Sequence, residues 1–109
     1  MGSALYISIR NPPTDLDTMM DGKALASAWD SLDTAAEHIG VPSLNKLCNP
    51  AWKAPEKGLP IFKKYLEYVR EHRQDIPDAP DIIQDLEDVV RLIGEAQRLN
   101  SKWRLMLDY

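Results

Sequence analysis

Cysteine is nearly missing from this chain: Cys48 stands alone among 109 residues. A single thiol excludes an internal disulfide framework and fits a reducing compartment, so the expected location is cytoplasmic. Long apolar runs are missing too. None approaches the roughly 20 residues that a membrane helix requires, and no membrane partner is expected. No basic segment leads into an apolar one, so a secretory signal is not expected, and Met1, Gly2 and Ser3 read as residues added in cloning. Positive charge is in deficit, with 13 bases against 17 acids and a formal charge of −4. A phosphate-tracking nucleic-acid binder normally carries a basic face, so nucleic acid is not an expected partner. Internal repeats and low-complexity tracts are absent as well.

What remains is the composition of one soluble domain spanning residues 1–109, with 44% apolar and 28% charged residues. Leu5, Ile7 and Ile9 alternate with Tyr6, Ser8 and Arg10. Trp103, Leu105, Leu107 and Tyr109 alternate with Arg104, Met106 and Asp108. This period of two predicts a half-buried strand at each end of the chain, and the two are expected to pair because neither can satisfy its own backbone. Whether they run parallel or antiparallel is open, since the connection is long enough for either. Between them the pattern is helical. Asp21 is the expected cap of a helix reaching Ile39, whose stripe is Leu25, Trp29, Leu32, Ala36 and Ile39. Gly40 suits the left-handed stop and Pro42 forbids resumption. Ser43 caps a single turn through Leu44, Leu47 and Cys48. A second helix starts near Gly58 or Leu59, with Pro60 in its first turn and Leu59, Phe62, Leu66 and Val69 as its stripe. A third is expected from Asp81 to Leu99, with Ile82, Leu86, Val89, Ile93 and Ala96 inward and Asn100 as its stop. The fold expected is α+β and mostly helical, three main helices and a short turn around a small sheet. The alternative is a three-helix bundle with loosely paired ends.

The chemistry-bearing residues are sparse. Asp15-Leu16-Asp17-Thr18-Met19 resembles, in its paired aspartates, the D-x-D-x-T string of haloacid-dehalogenase-type phosphotransferases. That resemblance implies a nucleophilic Asp15, an acid/base Asp17 and a magnesium ion at the end of a central parallel strand. Here Arg10–Thr14, with two prolines, separates the pair from the strand, and two strands cannot build such a sheet. The plainer reading is an acidic loop whose side chains cap turns. With Asp21 the loop holds three hard ligands, but their offsets are not those of a calcium loop. His38, Cys48 and His72 lack zinc-site spacing; Cys48 reads as a small core residue and both histidines as helix-end residues. Trp29 and Trp103 fall on apolar faces. Trp52 belongs to no periodic element, and it either pins the irregular loop around Pro50 and Pro55 or anchors a partner.

No cofactor and no metal are expected. The favoured reading is a non-enzymatic protein–protein interaction domain, an acidic adaptor or inhibitor of a basic partner, with Trp52, Asp15, Asp17, Asp81, Asp85 and Asp88 as contact residues. The alternatives are a small hydrolase or ligand-binding domain using Asp15, Asp17, His38 and Cys48, and a homodimer joined through its exposed strand edges.

Overall fold

The two end strands do pair, and they run antiparallel. The computed structural model describes residues 3–108; Met1 and Gly2, which the sequence assigns to residues added in cloning, and Tyr109, the expected last inward strand position, lie outside them. Strand β1 is Ala4–Ile9 and strand β2 is Trp103–Asp108, in the register Leu5↔Leu107, Ile7↔Leu105 and Ile9↔Trp103. Those six residues form the inner face. Tyr6, Ser8, Met106 and Arg104 form the outer one. Between the strands come α1 (Lys23–Ser27), α2 (Trp29–Ile39), α3 (Leu44–Leu47), a 3-10 turn (Pro55–Lys57), α4 (Leu59–Glu71) and α5 (Ala79–Arg98). This is an α+β fold, helices packed around a two-stranded antiparallel sheet. The three-helix-bundle alternative is thereby set aside.

Helices α4 and α5 pack against each other, α5 and α1 cover β1, and α2 lies on α3 and α4. Their inward residues are those of the sequence stripes. Leu25, Leu32, Phe62, Val69, Leu86, Ile93 and Leu105 are all buried, and Trp103 meets Phe62 edge-on with centroids 5.9 Å apart. Trp103 Nε1 donates to the Ala54 carbonyl at 3.0 Å, which satisfies the polar end of the buried indole. None of the described helices is long and apolar enough to cross a membrane.

Three boundaries differ from expectation. The single helix Asp21–Ile39 is two helices, interrupted at Ala28 (φ −90°, ψ 9°). Nothing in Ala26-Ser27-Ala28 disfavours a helix; the break lets α1 follow the sheet while α2 turns onto α4. The N-cap position of α1 is Gly22, one residue after the expected Asp21, whose Oδ1 still accepts from Lys23 N–H of the first turn at 3.3 Å. Helix α5 begins at Ala79, ahead of the expected Asp81, because Pro80 fits the first turn, where its missing amide costs nothing. Gly40 closes α2 in the left-handed conformation (φ 70°) and Val41 N–H donates to Ala36 at 3.1 Å, as a glycine stop requires. Asn100 takes the same conformation (φ 55°) after α5.

Candidate functional site

The site is built around a glycine and a buried carboxylate. Gly22 sits at φ 73°, and its carbonyl accepts from Leu5 N–H of β1 at 3.0 Å. The approach is so close that a Cβ at this position would lie 1.7 Å from the Leu5 carbonyl oxygen. Only glycine fits. From the first half of α5, Asp85 reaches under this turn. Its Oδ1 accepts from Gly22 N–H at 3.2 Å and its Oδ2 from Leu25 N–H at 3.0 Å. A carboxylate 60 residues downstream of Leu25 in the chain therefore caps α1 from outside the helix. Asp85 is 3% exposed, so it is not available as a surface contact, contrary to the sequence reading. Burial pushes its carboxyl above the ordinary value; the two amide bonds pull down and the Asp21 and Asp88 charges push up.

Above Asp85 a surface groove opens. One part, of about 350 Å³, is lined by Asp21, Lys23, Ser27, Asp78, Asp81 and Gln84, with Asp85 at its floor. Ala24, Ser27 and Asp78 continue into a narrower part of about 150 Å³, whose walls are Ala28, Ser31, Ile76, Pro77 and Ile82. The interruption at Ala28 gives the groove its wall of small residues, and the α4–α5 connection gives the opposite one. Chemically the groove has an acidic mouth and an apolar tail. Asp21, Asp78 and Asp81 are exposed, and none enters an ion pair among the described residues. Lys23 is the one cation in the lining.

The other expected contact residues lie elsewhere. Asp15 and Asp17 line a separate cleft with Arg91, Glu95 and Arg98, where Arg91 donates to the carbonyls of Asp17 (3.0 Å) and Met19 (3.2 Å) and straps the loop onto α5. Asp17 itself accepts from Met19 N–H at 3.0 Å, as expected for a turn-capping aspartate. Asp88 is 3.8 Å from Arg91, one turn along α5. Trp52 is half-buried beneath the Arg104 guanidinium, 4.3 Å from its ring centroid, next to the outer sheet face. Its loop is pinned: Lys53 exchanges two backbone hydrogen bonds with Trp103, at 2.8 and 3.0 Å. Asp81 and Asp85 thus share a site, Asp15 and Asp17 share another, and Trp52 belongs to neither.

Of the residues of the hydrolase alternative, His38 and Cys48 are not in the lining of the cleft that holds Asp15 and Asp17. His38 stands exposed in the last turn of α2, and Cys48 is half-buried after α3. Burial pushes the Cys48 thiol up, against the pull of the Lys53 ammonium, which is the reverse of an activated nucleophile. His72 stacks on Tyr68 with centroids 4.2 Å apart, and its Nδ1 lies 2.9 Å from the Tyr68 carbonyl. Among the described residues no three His, Cys, Asp or Glu side chains form a metal-ligating group.

The sequence reading missed Asp21 and Asp78 as members of the groove. Their signal was an Asp-Gly pair before an apolar stripe and an aspartate between Pro77 and Pro80, both turn-forming, but nothing local says that the two turns meet. Comparison with protein-family models, curated proteins and solved structures returned no match.

Proposed function

We propose that this protein acts without catalysis, as an acidic adaptor or inhibitor that holds a basic segment of a protein partner in the groove between α1 and the start of α5. The observation that carries the reading is the groove's lining: Asp21, Asp78 and Asp81 stand unpaired at its mouth beside a single lysine. Unpaired carboxylates around a concave surface draw a basic ligand by long-range attraction, raising its on-rate and choosing its charge. The apolar tail formed by Ala28, Ile76, Pro77 and Ile82 then supplies the area that a purely electrostatic contact lacks. Trp52 has no part in this reading, because its face is already stacked under Arg104. A partner of this kind fits a cytoplasmic protein.

The test is capture from a lysate of the source organism by the immobilised chain and, in parallel, by a triple variant Asp21→Asn/Asp78→Asn/Asp81→Asn. A basic protein held by the native chain, released by high salt and not held by the variant is the expected result. Equal capture by both, or no basic protein among those captured, overturns the reading.

A further inference from the structure

At the opposite end of α5 the charge reverses. An open cleft of about 470 Å³ lies between the turn that leaves β1 and the turn that enters β2, lined by Arg10, Asn11, Pro13, Leu99, Asn100, Ser101 and Lys102. No carboxylate is in its lining. Arg10 and Lys102 are exposed, and neither side chain has an ion-pair or hydrogen-bond partner among the described residues, where the ion pairs use Arg70, Arg91 and Arg98. The side-chain amides of Asn11 and Asn100 are likewise unpartnered among the described residues.

The cleft is braced. Arg10 N–H donates to the Lys102 carbonyl at 2.9 Å, and the Ser101 hydroxyl donates to the Arg10 carbonyl at 2.5 Å. Asn11 (φ 51°) and Asn100 (φ 55°) turn the chain away on either side, each in the left-handed conformation that asparagine tolerates best after glycine. The two cations therefore stand on turns that are tied to each other. A helix C-terminus normally repels an anion. Here the carbonyls of Glu95, Ala96 and Gln97 are already taken by the amides of Leu99 (2.9 Å), Ser101 (2.8 Å) and Asn100 (3.1 Å), which mutes that repulsion.

We propose that this cleft binds a phosphoryl dianion, with Arg10 and Lys102 pairing its charge and the Asn11 and Asn100 amides donating to its remaining oxygens. An arginine and a lysine with neutral donors between them match a tetrahedral oxyanion, and the absence of carboxylates removes the competitor that would otherwise hold the cations. The volume exceeds that of the anion itself, which leaves room for a small organic group attached to it.

The test is a titration of the isotope-labelled full chain, followed by amide NMR at fixed ionic strength, with inorganic phosphate, glycerol phosphate and, as control, chloride. Saturable shifts confined to Arg10, Asn11 and Asn100–Lys102, with either phosphate and not with chloride, are expected. Tighter binding of glycerol phosphate assigns the site to a phosphate ester, and tighter binding of inorganic phosphate assigns it to the free anion. In the double variant Arg10→Gln/Lys102→Gln affinity should fall at least about tenfold, while Lys102→Arg should keep it. Shifts that fail to saturate, that spread to Lys57, Lys63 and Lys64, or that survive in the double variant overturn the proposal.

Discussion

The two edges of the sheet are closed in different ways. On the β1 side the cover is a backbone contact backed by a buried carboxyl group: Leu5 N–H donates to Gly22, and Asp85 holds the Gly22 turn from beneath. On the β2 side it is an extra rung at Lys53, with the Trp52–Arg104 stack laid beside it. The antiparallel alternation aims the backbone of Leu5, Ile7 and Ile9 away from β2, and that of Trp103 and Leu105 away from β1. Yet Ile7 and Ile9 are 2% and 4% exposed and Leu105 is fully buried. The open edges that motivated a homodimer are thus covered within the chain over these residues. The β1 closure admits one solution, since a methyl group would destroy it. The β2 closure is adaptable, because an aromatic stack at the surface tolerates small shifts.

That contrast is broken first at Gly22. Gly22→Ala should cost about 3 kcal/mol or more, from a left-handed φ combined with an overlap against the Leu5 carbonyl, and chemical denaturation should show it. A loss below about 1 kcal/mol would mean that the contact relaxes freely. Next comes Asp85→Ala, which strands two buried amides and should cost about 2–3 kcal/mol by the same measurement.

Asp85 also has a pH signature. Its folded pKa is raised, so the stability it contributes is fully present below the unfolded pKa and is lost as pH rises through the folded one. The stability difference between the native chain and Asp85→Asn should therefore shrink as pH climbs from the ordinary carboxylate range toward neutrality. A difference that grows instead would show a carboxylate stabilised by its amides more than burial penalises it. On the β2 side, Trp52→Ala should cost only about 1 kcal/mol, the stack with Arg104 and part of an indole's area. A loss matching that of Gly22→Ala would erase the distinction between the edges. The smallest effect belongs to the surface pair Arg70–Glu87, where Arg70→Ala should change stability by less than about 0.5 kcal/mol.

The periodic elements were readable because period and burial coincide. The inward faces of β1, β2, α4 and α5 follow from the sequence spacing, and the stops at Gly40 and Asn100 from residue chemistry. Asp85 carried a signal as well. It stands three residues after Ile82 and four before Val89, on the buried stripe of α5, where an acid demands a partner. Counting it among the exposed acids of that helix overlooked its position. The partner itself was not legible, because the amides of Gly22 and Leu25 become donors in need only once α1 begins there. The break at Ala28 had no signal at all.

The sequence alone determined which apolar residues face inward, that the end strands pair, and that the chain is acidic, because periodicity and composition are local properties. Only the tertiary structure decided the antiparallel register, the division of the first helix and the grouping of the acids. It gathered Asp21, Asp78 and Asp81 around the groove, left Asp15 and Asp17 on another cleft, and turned Asp85 inward. These depend on contacts between segments about 60 to 100 residues apart, and such contacts are chosen by the packing of the whole core.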